Sequence, residues 1–404
     1  MTPLLIFLLT YTVVAFGGLP RFRLDRTGAA LLGAALMLAT GVLSFNDALA
    51  AIDFRTLALL TGMMIVIANL RLAGFFRLVA TWALRHAHAP RSLLAAVVAV
   101  SGLLSALYVN DTVCLILAPL VIEIAAALRR NPVPYLLAVA MAANAGSVAT
   151  ITGNPQNMII GNLSGLSYRE FAAALAPVAL FSLLATAVLI ALVYRSEFRR
   201  NVPAHPALPS PRVHRPLLAK SLTVSLALVV AFFAGLPLAE TSLTAGALLL
   251  VTRRIKPEKI YRQIDWPLLV LFAGLFVVVR GLERSAASPY LHQLASTGVQ
   301  QVPVLAAVSA VLSNLVSNVP AVLLFRPIVP ALPDPAGAWL VIAMSSTLAG
   351  NLTILGSVAN LIVVERARRH GIVISFLEYA LVGLPLTLLT TAAGTLWLMW
   401  LRQP

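Results

Sequence analysis

Residues 104–121 read LSALYVNDTVCLILAPLV, and 208 residues further on residues 312–329 read LSNLVSNVPAVLLFRPIV. Leu104/Leu312, Ser105/Ser313, Leu107/Leu315, Asn110/Asn318, Leu115/Leu323, Pro119/Pro327 and Val121/Val329 coincide without a gap. A duplication of this kind limits the fold severely, because whatever the first copy builds the second must build again. Each copy carries polar residues inside an apolar run, so the two read as equivalent halves of one site. The duplication extends outward. Ile52, Asp53, Leu57, Leu59, Gly62 and Val66 match Ile264, Asp265, Leu269, Leu271, Gly274 and Val278 at a constant displacement of 212 residues. Gly146, Gly153 and Asn157 parallel Gly350, Gly356 and Asn360, with one residue fewer in the second copy.

The medium in which these copies fold follows from composition. Of 404 residues, 60% are hydrophobic and 11% charged, against about 25% charged in a soluble domain. Apolar runs of about 17 to 25 residues recur from end to end, so the chain is polytopic and leaves no soluble domain of useful size. The first run, Leu4 to Leu19, has no basic residue ahead of it and no small-residue cleavage signal, and reads as a retained helix. A net charge of +15 would suggest nucleic acid in a soluble protein. In a membrane chain the sign is read loop by loop, and no nucleic-acid partner is implied. The single cysteine, Cys114, excludes an internal disulfide, and no Cys/His pair has metal-ligand spacing.

Taken as crossings, the apolar runs place helices near residues 3–19, 28–45 and 55–71, followed by a basic connector from Arg71 to Arg91. Residues 92–127 are too long for one crossing and have basic flanks, Arg85 and Arg91 before, Arg129 and Arg130 after. They are expected to form a re-entrant hairpin whose tip, Asn110, Asp111 and Thr112, lies deep in the membrane. The crossing at 135–161 is interrupted by Gly146, Ser147, Thr150, Thr152, Gly153, Asn154 and Pro155, and is expected to be unwound midway. Irregular backbone at that depth is tolerated only when buried in protein or lining a watery cavity. A helix near 171–194 completes the first repeat, residues 1–195, and residues 196–216 form a cytoplasmic linker rich in Pro and Arg. Residues 217–404 repeat the plan: crossings near 217–234, 238–252 and 266–283, a hairpin near 302–328, a broken helix near 337–364 and a last helix near 376–401. Five crossings separate Asp53 from Asp265, so the second copy is upside down relative to the first.

The expected fold is thus an all-α polytopic membrane protein of two inverted-topology repeats, with about ten transmembrane helices, two re-entrant hairpins and two discontinuous helices. Placing both termini outside the inner membrane of a bacterium leaves only Arg55, Arg169, Arg280, Arg284, Arg326 and Arg402, of the 29 Lys and Arg, away from the cytoplasmic side.

Inverted repeats with discontinuous helices point to a secondary transporter whose site lies near the midplane. A broken helix exposes unpaired N–H groups at one half-helix and unpaired carbonyls at the other, which offers sites for anions and cations respectively. The substrate and ion site is therefore placed at Asn110, Asp111, Thr112, Thr152, Gly153, Asn154, Asn157, Ser317, Asn318, Gly356, Ser357 and Asn360. An ionised carboxylate at bilayer depth costs several kcal/mol unless paired or reached by water, so Asp111 is the residue expected to carry a coupling proton, or to hold a sodium ion beside it. Asn110, Asn157, Asn318 and Asn360 have a second use, since buried backbone groups freed by the breaks also need partners. Asp53 and Asp265 begin matching helices and read as helix-start acids. All six histidines fall in loops or at helix ends, which gives no relay, and no cofactor or Walker-type loop is present. An intramembrane enzyme would need a nucleophile and base or a paired carboxylate, but the counterpart of Asp111 is Val319. A channel remains a rival class, since polar-tipped hairpins also build filters.

The Asn110-Asp111-Thr112 and Gly153-Asn154-Pro155-Gln156-Asn157 segments, with Ser317-Asn318-Val319 and Gly356-Ser357-Val358-Ala359-Asn360, resemble the ion transporter superfamily over nearly the whole chain. That group includes arsenical pump membrane proteins, citrate-metal symporters, some sodium/proton antiporters and divalent anion/sodium symporters. The resemblance implies an elevator mechanism, in which hairpins and broken helices move against a scaffold that forms a homodimer. Divalent anion/sodium symporters carry Ser-Asn-Thr at both tips, whereas this chain has Val109-Asn110-Asp111 and Ser317-Asn318-Val319. The Asn-Asp pair is closer to the arsenical pump branch. The expected function is proton-coupled, or sodium-coupled, transport of a small anion or oxyacid. A sodium/proton antiporter and an arsenite efflux permease are the alternatives.

Overall fold

The computed structural model describes residues 2–19, 23–85, 89–199, 213–252, 255–285 and 298–402. Most of the linker, with Arg21, Arg200, Arg253, Arg254 and four of the histidines, lies outside the described residues. Within them the chain is helical, except for a two-residue antiparallel pair, β1 (Gly18–Leu19) with β2 (Leu24–Asp25).

The first half runs α1 (Thr2–Phe16), α2 (Arg26–Ala39), short α3 (Phe45–Ala51), α4 (Phe54–Ala73), α5 (Phe75–Arg85), α6 (Pro90–Leu107), α7 (Asn110–Ala127), α8 (Pro132–Ser147), α9 (Pro155–Ser164), α10 (Tyr168–Val193) and short α11 (Arg195–Arg199). The second runs α12 (Arg215–Phe233), α13 (Leu238–Leu250), short α14 (Pro257–Tyr261), α15 (Trp266–Glu283), α16 (Val302–Val316), α17 (Asn318–Leu324), α18 (Pro335–Ala349), α19 (Val358–Arg369) and α20 (Phe376–Leu401). Local chemistry sets these boundaries. Asp53 accepts from the N–H groups of Arg55 and Thr56, and Asp265 from that of Leu268, so both acids cap the helices they precede. Ser167 and Glu170 close a capping box on α10.

The packing exchanges partners between the halves. Helix α2 lies on α15 and α13 on α4, while α1 also touches α15 and α12 touches α4. Within each half α6 packs on α8 and α16 on α18, and across the halves α10 meets α20. The innermost helices are α8 and α18, whose residues 133–147 and 337–349 are buried without interruption. Such a helix needs an apolar sequence all round and small residues where backbones meet. A Cβ at Gly146 would stand 2.1 Å from the carbonyl oxygen of Gly102 on α6. The outer helices carry the opposite pattern, with Leu180, Leu184, Leu226, Leu381 and Leu388 exposed. Leucines facing outward over whole helices suit hydrocarbon, not water.

Seven helices among the described residues are long and apolar enough to cross a membrane, and five more apolar helices are shorter. Three expectations change in detail. The arms of the first hairpin, α6 and α7, have 18 residues each and count among the seven; at 1.5 Å per residue each is about 27 Å long. The basic connector holds an amphipathic helix, α5, packed on α6 and α7. The two breaks also align without the one-residue gap. A displacement of 203 residues carries Pro132 to Pro335, Ile151 to Ile354 and Pro155 to Val358, and so pairs Ser147 rather than Gly146 with Gly350.

Candidate functional site

Both broken helices are built alike. In the first, α8 stops at Ser147, Thr150 is extended, Ile151–Gly153 form one 3-10 turn, and Asn154 caps α9 by accepting from the Asn157 N–H at 2.8 Å. In the second, Thr353 is extended, Ile354–Gly356 form the 3-10 turn, and Ser357 caps α19 by accepting from the Ala359 N–H. Each break strands carbonyls that lipid cannot satisfy. The asparagine one turn into the following helix meets them. Asn157 Nδ2 donates to the Ser147 and Thr150 carbonyls at 3.0 Å each, and Asn360 Nδ2 to the Gly350 and Thr353 carbonyls at 2.6 and 3.0 Å. Gly153 permits the fold-back, since a Cβ there would lie 2.1 Å from the Ser147 carbonyl oxygen. Thr152 shares a hydrogen bond of 2.9 Å with the Tyr168 hydroxyl.

Between the breaks lies a buried polar hub that sequence reasoning missed. Asn144, 1% exposed, accepts from Asn110 Nδ2 at 2.9 Å and from the Ser357 hydroxyl at 3.2 Å. Its own Nδ2 donates to Asn351 Oδ1 at 2.9 Å and Asn360 Oδ1 at 3.0 Å. Thr347, its counterpart at the displacement of 203, accepts from Asn154 Nδ2 at 3.2 Å and Gln156 Nε2 at 3.1 Å. The cap of each break thus reaches across to the intact half-helix of the other. The signal for this was an Asn in one apolar run and a Thr after Ser345 and Ser346 in the other, visible once the copies are aligned without a gap.

In front of the hub is a cavity of about 70 Å³. Asn110 and Asp111 line it from the first tip, Ser317, Asn318, Val319 and Pro320 from the second, and Pro155, Gln156, Ser357 and Val358 from the breaks. Val14, Arg26, Leu268, Leu271 and Phe272 close the remaining side from α1, α2 and α15. Of the residues expected at the site, the structure brings Asn110, Asp111, Ser317, Asn318 and Ser357 to the cavity. Thr152, Gly153, Asn154, Asn157, Gly356 and Asn360 stand behind it in the two breaks, and Thr112 does not line it. Arg26 and Gln156 join the lining unforeseen. Arg26 looked like one more positive loop residue.

Backbone contributes to the electrostatics of the cavity. Asn110, Pro155 and Val358 are the first residues of α7, α9 and α19, three helices of 18, 10 and 12 residues whose N-termini open on the same space. Helix N-termini carry unpaired N–H groups and a partial positive charge. Among the lining side chains Asp111 is the one acid and Arg26 the one base. The second tip is also strained. Ser317 has φ 75° and ψ 157°, a backbone conformation that only glycine adopts readily, at a cost of about 1–3 kcal/mol. Asn318 is held there by the Ser313 hydroxyl, which donates to its Oδ1 at 2.6 Å.

Comparison with known proteins agrees with this architecture. A crystal structure of the YdaH transporter from Alcanivorax borkumensis superposes with a TM-score of 0.65, covering 99% of this chain and 96% of that one at 17% identity, which shows the fold. The silicon efflux transporter LSI3 of Oryza sativa is 32% identical over 95% of this chain and 94% of its own length. A 46 kDa membrane protein of Mycobacterium leprae is 30% identical over 98% and 97%. A Dictyostelium discoideum protein named as a transporter, arsB, is 25% identical over 92% and 86%. Residues 11–349 match the citrate transporter family, CitMHS. The chain belongs to that family, and is a secondary transporter of the membrane.

Proposed function

We propose that this protein moves a small oxyacid, neutral or singly charged, across the bacterial inner membrane by an elevator mechanism, with Asp111 carrying the coupling proton. The observation that carries this reading is the convergence of two hairpin tips and three helix N-termini on one cavity lined by a single acid and a single base. Hydroxyl oxygens suit such a site, since helix N–H groups and Arg26 donate to them while the Asn110 and Asn318 carboxamides donate or accept. In a volume of about 70 Å³, where one water-sized group needs about 10–15 Å³, there is room for about five to seven such groups. That fits arsenious or orthosilicic acid far better than a tricarboxylate. The silicon efflux transporter among the relatives points the same way.

Residues 1–195 and 217–404 form the two inverted repeats, joined by the linker 196–216. The exchange of packing partners between the halves supports this. Hairpins α6–α7 and α16–α17 with the broken helices form the moving unit, and α1, α2, α4, α12, α13 and α15 the scaffold, through which two copies dimerise. With both termini outside, the end of α1 and the starts of α2 and α15 are cytoplasmic. The cavity abuts these ends through Val14, Arg26 and Leu268, which supports a site at its inner position.

The test is a solute screen in proteoliposomes: arsenite, orthosilicic acid, phosphate, sulfate, citrate, succinate and sodium, each under an imposed pH gradient. Saturable flux of arsenite or silicic acid that exceeds flux of every carboxylate is the expected result. Citrate as the preferred solute would refute the oxyacid reading, and sodium-driven proton movement with no other solute would favour a sodium/proton antiporter.

A further inference from the structure

A second cavity, of about 350 Å³, lies on the same face of the scaffold at its other end. Arg55, Leu59, Asn162, Phe232, Leu238 and Glu240 are among its lining residues. Its position is not arbitrary. The inner cavity is closed by the end of α1 and the starts of α2 and α15. The larger one is closed by the end of α12 and the starts of α13 and α4, the same three elements taken from the opposite halves. What fills the corner differs. At the inner end stand the tips and the beginnings of α9 and α19, and at the outer end the far end of α9 and the loop into α10, Gly161 to Tyr168.

Helix α9 spans the two. Gln156 lines the inner cavity and Asn162 the outer one, where Asn162 Nδ2 donates to Asp53 Oδ2 at 2.5 Å. These residues are six positions apart, about 9 Å along the helix axis at 1.5 Å per residue. Each end of the scaffold offers one guanidinium beside a helix start, Arg26 within and Arg55 without. They are not repeat counterparts, since a displacement of 212 takes Arg26 to Leu238 and Arg55 to Pro267. Among the described residues neither Arg55 nor Glu240 makes an ion pair in this position of the moving unit.

Resting on the elevator reading above, we propose that the Arg55 cavity is the outer berth of the substrate site, in which Arg55 gives the small oxyacid the guanidinium contact that Arg26 gives it at the inner berth. An outward slide of about 9 Å brings Gln156 and the tips to the level of Arg55. The acid then passes from one cation to the other. Glu240 lines the same cavity as Arg55 and keeps the berth near neutral, as Asp111 does for Arg26.

Two measurements test this. In sided membrane vesicles with arsenite as the probe, Arg55→Gln raises the half-saturating concentration about tenfold from the outside and leaves the inside value within about twofold, as expected for loss of one charge-assisted contact. Arg26→Gln shows the reverse, Arg55→Lys retains most of the affinity, and Arg169→Gln, another outer arginine, changes neither side. Equal effects of Arg55→Gln on both sides, or none on the outer side, would overturn the proposal. The second measurement needs no substrate. In a Cys114→Ser background, Arg55→Cys with Gln156→Cys is expected to cross-link with a short bismaleimide, as Arg26→Cys with Gln156→Cys does. Cross-linking of the Arg26 pair alone overturns the outer berth even if the substrate class named above proves wrong.

Discussion

Asn144→Leu tests the polar hub with the same number and branching of side-chain heavy atoms. The substitution strands four partners: Asn110 Nδ2, Asn351 Oδ1, Asn360 Oδ1 and the Ser357 hydroxyl. A buried polar atom left unsatisfied costs about 1–3 kcal/mol. The low end applies to each, because every one of these residues keeps another hydrogen bond: the Asp111 N–H to Asn110, Asn351 to the Met141 carbonyl, Asn360 to Gly350 and Thr353, and the Ala359 N–H to Ser357. The expected loss is about 4 kcal/mol, or about 5 °C in Tm at roughly 1.2 °C per kcal/mol, from about 2.1 cal/mol/K per residue over 404 residues. The assay is thermal unfolding of the detergent-solubilised protein followed by tryptophan fluorescence, with Asn144→Gln beside it. A fall of less than about 2 °C would show that the hub is not the clasp between the two breaks, because even two stranded groups should exceed it.

Other expectations follow from single contacts. Ser317→Gly relieves the positive φ of the second tip and raises Tm by the equivalent of about 1 kcal/mol; an unchanged or lower Tm would show that the strain is absent. Arg326 donates to the Ala51 carbonyl at 3.3 Å, lies 4.0 Å from Glu283 and covers the Phe276 ring, so it pins the second hairpin to the scaffold. Arg326→Ala is expected to raise the cross-linked fraction of the Arg55→Cys/Gln156→Cys pair at the expense of the Arg26 pair, and no change would assign Arg326 to local packing. The Arg284 guanidinium and the Ser44 hydroxyl hold the Asp47 carboxyl down at about 2. A depressed acid contributes stability that is full above its ordinary value near 3.8 and is lost as pH falls through about 2. Asp47→Asn should therefore lower Tm by the same amount at pH 8 and pH 5, with the difference from wild type closing only below about pH 4; a difference that closes between pH 8 and 5 would contradict the assignment.

Much of this was legible in the sequence because lipid makes polar residues conspicuous. Asp53 and Asp265, the two tips and the two breaks each interrupt apolar runs, and each proved to be a helix start or a chain break. What the sequence does not separate is the task of one asparagine from that of another. Asn110 and Asn318 line the cavity whereas Asn157 and Asn360 are occupied by stranded carbonyls, and the difference is one of direction, not residue type. Arg26 was hidden for another reason: a cation beside a helix start satisfies the positive-inside pattern wherever its side chain then turns. Asn144 and Thr347 were hidden because they lie in unbroken helix, where nothing local marks them until the copies are set at their true displacement of 203 residues.

Asp111 is the acid among the cavity lining, and the proposed coupling runs through it. The most direct measurement is proton flux in proteoliposomes loaded with arsenite, wild type beside Asp111→Asn, with arsenite movement recorded in the same vesicles. Proton flux that accompanies arsenite in the wild type and vanishes in Asp111→Asn is the predicted result. Proton movement that stays coupled to arsenite in Asp111→Asn would contradict the account and place the coupling proton elsewhere.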